Sequence, residues 1–349
     1  MICLCLLFAL VAQEPSAEVV QHIQAGISAE KLGQHDTAIS EFDKATALDP
    51  DFAIAYVDLA TVYMGQRKYS EALAPLKRAV LLDPDVPGAQ DMLGFALLFQ
   101  GYAAESIPHF QAVNNKGGLG TAQLETGDLT GAIANLQAAL AQHPDDPELL
   151  SQLARATGVL SREAKDTLLA THPDSAQAHA TLAGDYWALQ KADDAEKEYE
   201  AALHLDPGLP GAHLGLGQIY ERAQQWQKAE QEFQAEAKLR PGSAEAAYRL
   251  GNALLENGKV QAATMELKRA NTLQPDMPET LYALGKAEAM NGDSLEAEKD
   301  WNHLLALEKD TELAQKTHFG LAGVYRKLGK RADADREMKA FEDLKAAGK

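Results

Sequence analysis

Small residues recur in pairs twelve positions apart along this chain: Gly26/Ala38, Ala60/Ala72, Gly94/Ser106, Gly120/Ala132, Ala183/Ala195, Gly217/Ala229, Gly251/Ala263, Gly285/Ala297 and Ala322/Ala334. Twelve residues after most of the second members stands a proline, at Pro50, Pro84, Pro144, Pro207, Pro241 and Pro275. Full units repeat every 34 residues, as from Pro50 to Pro84 and from Pro207 through Pro241 to Pro275. A period of this length marks a stack of helical hairpins. Such a stack has no single core. Each unit buries its apolar face on its neighbours, so length adds units rather than domains.

The stretch from Pro210 to Pro241 shows how one unit is written. Leu214, Leu216, Ile219 and Tyr220 fall at helical spacing around Gly217, Gln224-Gln225 makes the turn, and Ala229, Phe233, Ala237 and Leu239 stripe a second helix. Both stripes have the α-helical period. Pro241 ends the unit, because a residue before proline is pushed out of the α region. Gly33, Gly101, Gly127, Gly258, Gly292 and Gly329 hold the turn in other units, where a left-handed residue stops the first helix. The small pairs, Gly217 with Ala229 and Gly251 with Ala263 among them, let the two helices approach closely. The expectation is an all-α chain of antiparallel helix pairs.

These residues resemble the tetratricopeptide repeat (TPR) family. The motif reads Tyr56-x2-Leu59-Ala60-x2-Tyr63, then Ala72, Leu76, Ala79 and Pro84. It reads again as Ala247-x2-Leu250-Gly251-x2-Leu254, then Ala263, Leu267, Ala270 and Pro275. The resemblance runs from about Val19 to Leu344. It implies a right-handed superhelical solenoid whose concave groove is lined mostly by the first helix of each pair.

Two units depart from the period. Pro84 to Pro144 is 60 residues where two units need 68, and the shortfall around Asn114–Gly120 is expected to truncate the first helix of the fourth unit. Pro144 to Pro173 is only 29 residues and lacks a clear small pair. The organisation is therefore three regular units over 19–113, two shortened and irregular ones over 114–173, and five units with a C-terminal capping helix over 174–347.

Residues 1–12 stand apart. The uncharged run Ile2–Ala12, followed by Gln13-Glu14-Pro15-Ser16, is too short for a bilayer span and fits the h-region of a signal peptide. Cys3 and Cys5 lie inside it, so a chain cut after Ala12 has no thiol for a disulfide or a metal. The expectation is a bacterial exported protein, periplasmic or secreted, with no stable membrane span. If the run is not a leader, the protein is cytoplasmic.

Fifty-one acidic residues against 32 Lys+Arg, a net charge of −19, speak against nucleic acid, which needs concentrated cations. Gly118-Leu119-Gly120 mimics the start of a phosphate loop, but no strand precedes it and Gln123 stands where the third glycine belongs. His22, His179, His213 and His318 share one repeat position, and no H-x3-H or H-E-x2-H spacing occurs. The histidines therefore read as packing register, and neither a metal nor a cofactor is expected. No nucleophile motif is present. The chain reads as a scaffold rather than an enzyme.

Partner choice then rests on the first-helix positions that vary between units. The C-terminal groove offers Tyr248, Arg249, Asn252, Tyr282, Lys286, Phe319 and Arg326; the N-terminal groove is more apolar, with Val57, Met64, Phe95, Leu98 and Phe99. Aromatic anchors beside Arg and Asn suit peptide segments or helices of other proteins. Clamps for acidic chain ends, a specialisation of the family this chain resembles, need Lys/Arg and Asn in successive units; only Arg249, Asn252 and Lys286 echo them, which disfavours a receptor of that kind. Two rivals stand beside the peptide scaffold. One is an accessory subunit of a separate envelope enzyme or a polysaccharide-binding module, against which Trp226 and Trp301 fall on second helices. The other is self-association through an exposed repeat edge.

Overall fold

The computed structural model describes residues 15–347. The apolar run Ile2–Ala12 and its two cysteines lie outside the described residues. Nineteen α-helices and no strand occur among the described residues. The described residues divide into two compact units that part between Ala164 and Lys165.

The first unit pairs α1 (Ala17–Lys31) with α2 (His35–Leu48), α3 (Ala53–Gly65) with α4 (Tyr69–Leu82), α5 (Ala89–Phe99) with α6 (Ala103–Ala112) and α7 (Lys116–Thr126) with α8 (Leu129–Leu140). α9 (Pro147–Thr171) follows. The second unit pairs α10 (Ala176–Ala188) with α11 (Ala192–Leu205), α12 (Ala212–Arg222) with α13 (Trp226–Leu239) and α14 (Ala244–Glu256) with α15 (Val260–Leu273). It ends with α16 (Pro278–Asn291) on α17 (Ser294–Leu307) and α18 (Glu312–Lys327) on α19 (Arg331–Ala347).

Local chemistry sets the ends of these helices. Ser16, Asn115, Asp128, Ser175, Ser243 and Thr311 each accept a backbone N–H of the first turn, which satisfies a donor the helix cannot. The turn inside each pair needs one left-handed residue. Gly127 (φ 84°) and Gly292 (φ 96°) supply it without a β-carbon clash, while Arg67 (φ 56°) and Gln224 (φ 57°) hold the same turn in units without glycine.

Packing explains the small residues more sharply than their pairing does. The first member of a pair faces the large residue sixteen positions on. A β-carbon on Gly94 would meet the Phe110 ring at 2.7 Å, on Gly251 the Leu267 side chain at 2.5 Å, and on Gly285 the Trp301 ring at 2.5 Å. Some rings are held from both sides. Phe110 also lies against Gly118 of the next pair, and Trp301 against Gly320. The Gly118-Leu119-Gly120 sequence is thus a packing device: Gly118 clears Phe110 and Gly120 clears Leu136.

Two departures from the sequence reading concern the irregular region. The shortfall before Pro144 falls on α6, ten residues long against 14 in α2 and α4; α7 has the same eleven residues as α5 and α12. Asn114 (φ 54°) turns the chain, and the Asn115 side chain, accepting from the Gly118 amide at 2.8 Å, starts α7 at once. Residues 147–171, which the proline spacing marks as a shortened unit, form the single 25-residue helix α9. Its Leu149, Leu153, Ala156 and Val159 make one helical stripe that packs with Leu124, Leu129, Ala132 and Leu136. With no proline after Pro147 and only the exposed Gly158 in its middle, nothing breaks that helix into a hairpin.

Candidate functional site

In the first unit the end of α5, the start of α4, the start of α7 and the start of α9 surround a cavity of about 600 Å³. One wall is aromatic. Phe99 stacks on Tyr69 with ring centroids 4.6 Å apart, Phe95 lies 6.1 Å from Phe99, and Phe95 meets Phe110 edge-on at 4.9 Å. Phe110 is fully buried and anchors the cluster, whereas Phe99 is 57% exposed. Leu98 and Leu149 complete the apolar lining.

The rest of the lining is largely polar. Asn115 donates to Asp91 Oδ1 at 2.6 Å, which ties α7 to α5. Lys116 and Gly117 lie in the first turn of α7, where backbone N–H groups have no intrahelical acceptor. Asp146 accepts from the amides of Glu148 (2.9 Å) and Leu149 (3.1 Å), so it caps α9. Arg67, in the left-handed turn before α4, reaches the same cavity.

Of the N-terminal residues read as groove positions, Phe95 and Leu98 line this cavity and Phe99 joins them. Val57 packs among Ala53, Ala79, Val86 and Ala89, and Met64 packs on Ala60, Leu93 and Leu97, so both serve contacts between helices. Sequence reasoning did not select Tyr69, Leu149, Lys116 or Arg67. Tyr69 opens a second helix and Arg67 sits in a turn, positions outside the first-helix face.

The C-terminal candidates are more committed to the protein itself. Arg249 pairs with Glu221 at 2.7 Å and with Glu245 at 3.0 Å. Lys286 pairs with Glu256 at 2.9 Å. Tyr248 packs on the core of α12–α16, and burial pushes its hydroxyl pKa up, with Asn252 opposing as a hydrogen-bond partner. Tyr282 stacks on Trp301 at 6.3 Å, and its carbonyl accepts from the Trp301 indole at 3.1 Å. Phe319 is 56% exposed and tilts against Phe341, and Arg326 is exposed.

The four histidines at one register position share a structural role. His22 bonds Glu41 (2.7 Å), His179 bonds Glu198 (2.6 Å), His213 bonds Glu232 (2.6 Å) and His318 bonds Glu337 (2.5 Å), each nineteen residues on in the paired helix. No group of three or more His, Cys, Asp or Glu placed to hold a metal occurs among the described residues. The two carboxyls with the largest upward shifts lie away from the cavity lining. Burial pushes Asp58 up to about 6 and Glu288 to about 7. No helix among the described residues is long and apolar enough to cross a membrane.

Models of the tetratricopeptide repeat match residues 29–94, 116–156 and, in overlapping segments, 180–306. The chain is therefore a member of the tetratricopeptide repeat family. It is similar to DnaJ homolog subfamily C member 3 of Rattus norvegicus, 37% identical over 98 residues, which is 28% of this chain and 19% of the relative. It is also similar to Tetratricopeptide repeat protein 28 of Mus musculus, 33% identical over 94 residues, 27% of this chain and 4% of the relative. The chain thus spans less than a fifth of the length of either relative. Among solved structures, YrrB, described as a TPR protein with an unusual peptide-binding site, aligns with 52% of this chain and 92% of its own at 19% identity and TM-score 0.48. MamA aligns with 48% and 95% at 22% identity and TM-score 0.45.

Proposed function

We propose that this protein is a non-catalytic scaffold that holds segments of other proteins, and that the aromatic-walled cavity of its first unit is a principal binding site. The TPR repeats supply the general expectation of protein–protein interaction. The observation that carries the site is Phe99: a large apolar side chain more than half exposed, yet ordered by its stack on Tyr69 at the mouth of a 600 Å³ cavity. Exposed aromatics beside a pocket are the usual anchors of protein interfaces. The C-terminal groove is a weaker candidate, because Arg249 and Lys286 spend their charge on Glu221, Glu245 and Glu256. The leader-like run Ile2–Ala12 supports placing this activity outside the cytoplasm.

A photo-activatable residue at position 99, in the full chain expressed in its host, tests the reading. The expected result is one defined adduct, identified by mass spectrometry and lost when Phe95 and Leu98 are also replaced by serine. An adduct formed from position 319 and absent from position 99 would move the site to the second unit.

A further inference from the structure

We infer that the occupant of the first-unit cavity is an acidic protein segment carrying a bulky apolar anchor. This rests on the reading of that cavity as a protein-binding site and adds the chemistry of its partner. The overall charge points the other way, since a chain of net charge −19 favours basic partners. Around the cavity the formal charges balance, Arg67 and Lys116 against Asp146 and Glu148, and the N-termini of α7 and α9 tip the local field to positive.

The negative groups there are already engaged. Asp146 spends Oδ1 on two backbone amides at the start of α9, and Glu148 stands in the first turn of that helix, where its charge meets the positive end of the dipole. Asp91, behind the polar lining, is bonded by Asn115. The positive groups are not engaged in this way. Lys116 and Arg67 form no ion pair among the described residues, yet they are two of only nine Lys+Arg in residues 1–164. Lys116 sits at the start of α7, where its charge adds to the positive end of that helix. A ligand entering beside the Tyr69–Phe99–Phe95 cluster therefore meets apolar surface and, at Lys116 and Arg67, two cations with no ion-pair partner among the described residues. An aromatic or large aliphatic side chain fills the first, and flanking Asp or Glu residues answer the second. A basic segment would place its charges against Lys116 and Arg67.

The test uses the full chain and two labelled peptides of equal length. Each carries a central Phe-Leu anchor, flanked in one by Asp and Glu and in the other by Lys. Fluorescence anisotropy is expected to show the acidic peptide bound at least about fivefold more tightly at low salt, with the preference shrinking as salt screens the charges. The double charge reversal Lys116→Glu, Arg67→Glu is expected to invert the preference, and Phe99→Ala to weaken both peptides. The peptide comparison on the unaltered protein stands even if a variant misfolds. Equal binding of the two peptides overturns the charge inference and leaves the scaffold reading intact. Binding of neither, with the position-99 adduct still formed, overturns the inferred chemistry alone. Binding of neither with no adduct overturns both.

Discussion

The ring of Phe233 fills the space that a β-carbon on Gly217 would need: such an atom would lie 2.5 Å from Phe233 Cε1, and Phe233 is fully buried. The pair spans the two helices α12 and α13 and sets their separation. Gly217→Val should therefore destabilise the protein by about 1–3 kcal/mol through overpacking. Phe233→Ala should cost about 3–5 kcal/mol through the cavity it leaves. Urea unfolding followed by circular dichroism checks both, and a Gly217→Val variant as stable as the parent would show that the helices separate freely there.

Phe99 should behave in the opposite way. Its exposed ring contributes little to the fold, so Phe99→Ala should change unfolding stability by less than about 0.5 kcal/mol. Partner adducts formed from neighbouring positions of the cavity should fall steeply in the same variant. A large loss of stability would instead make Phe99 a core residue.

His213 and Glu232 meet at 2.6 Å with side chains only 17% and 22% exposed. A double-mutant cycle to alanine should give a coupling of about 0.5–1.5 kcal/mol. The equivalent cycle on His179 and Glu198 should match it, because the two pairs hold the same register. Coupling near zero in both would reduce these bonds to surface decoration.

The Glu288 carboxyl, 1% exposed, is pushed up to about 7 from the ordinary 4.5, first by burial and further by Asp300, with the Lys268 ammonium at 3.0 Å opposing. A carboxyl whose folded pKa exceeds its unfolded one holds its proton more tightly when folded. Its contribution to stability is therefore full below about pH 4.5 and is lost as the pH rises through about 7. Glu288→Gln should flatten the pH dependence of stability in that window. Hydrogen exchange of α16 and α17 at pH 5 and pH 8 measures it, and an unchanged slope in the variant would refute the assignment.

Much of the architecture was legible because repetition multiplies a weak signal. One Gly217–Ala229 pair says little, whereas nine such pairs in register define helix pairs, and the prolines mark their ends. The long helix α9 escaped because proline spacing records where a segment ends and not whether it folds back within. The site was only partly readable. Phe95 and Leu98 were found through the first-helix face, but Tyr69 and Arg67 come from outside that face. The committed state of Arg249 and Lys286 depends on glutamates 28 and 30 residues earlier, contacts that appear only once successive pairs are stacked.

The first-unit cavity is proposed to receive a protein segment. Hydrogen–deuterium exchange of the full chain, with and without the acidic Phe-Leu peptide, tests it most directly. Slowed exchange is expected at the end of α5 and the first turns of α7 and α9, with α14, α16 and α18 unchanged. Slowing confined to α14, α16 and α18 would contradict it and return the binding site to the C-terminal groove.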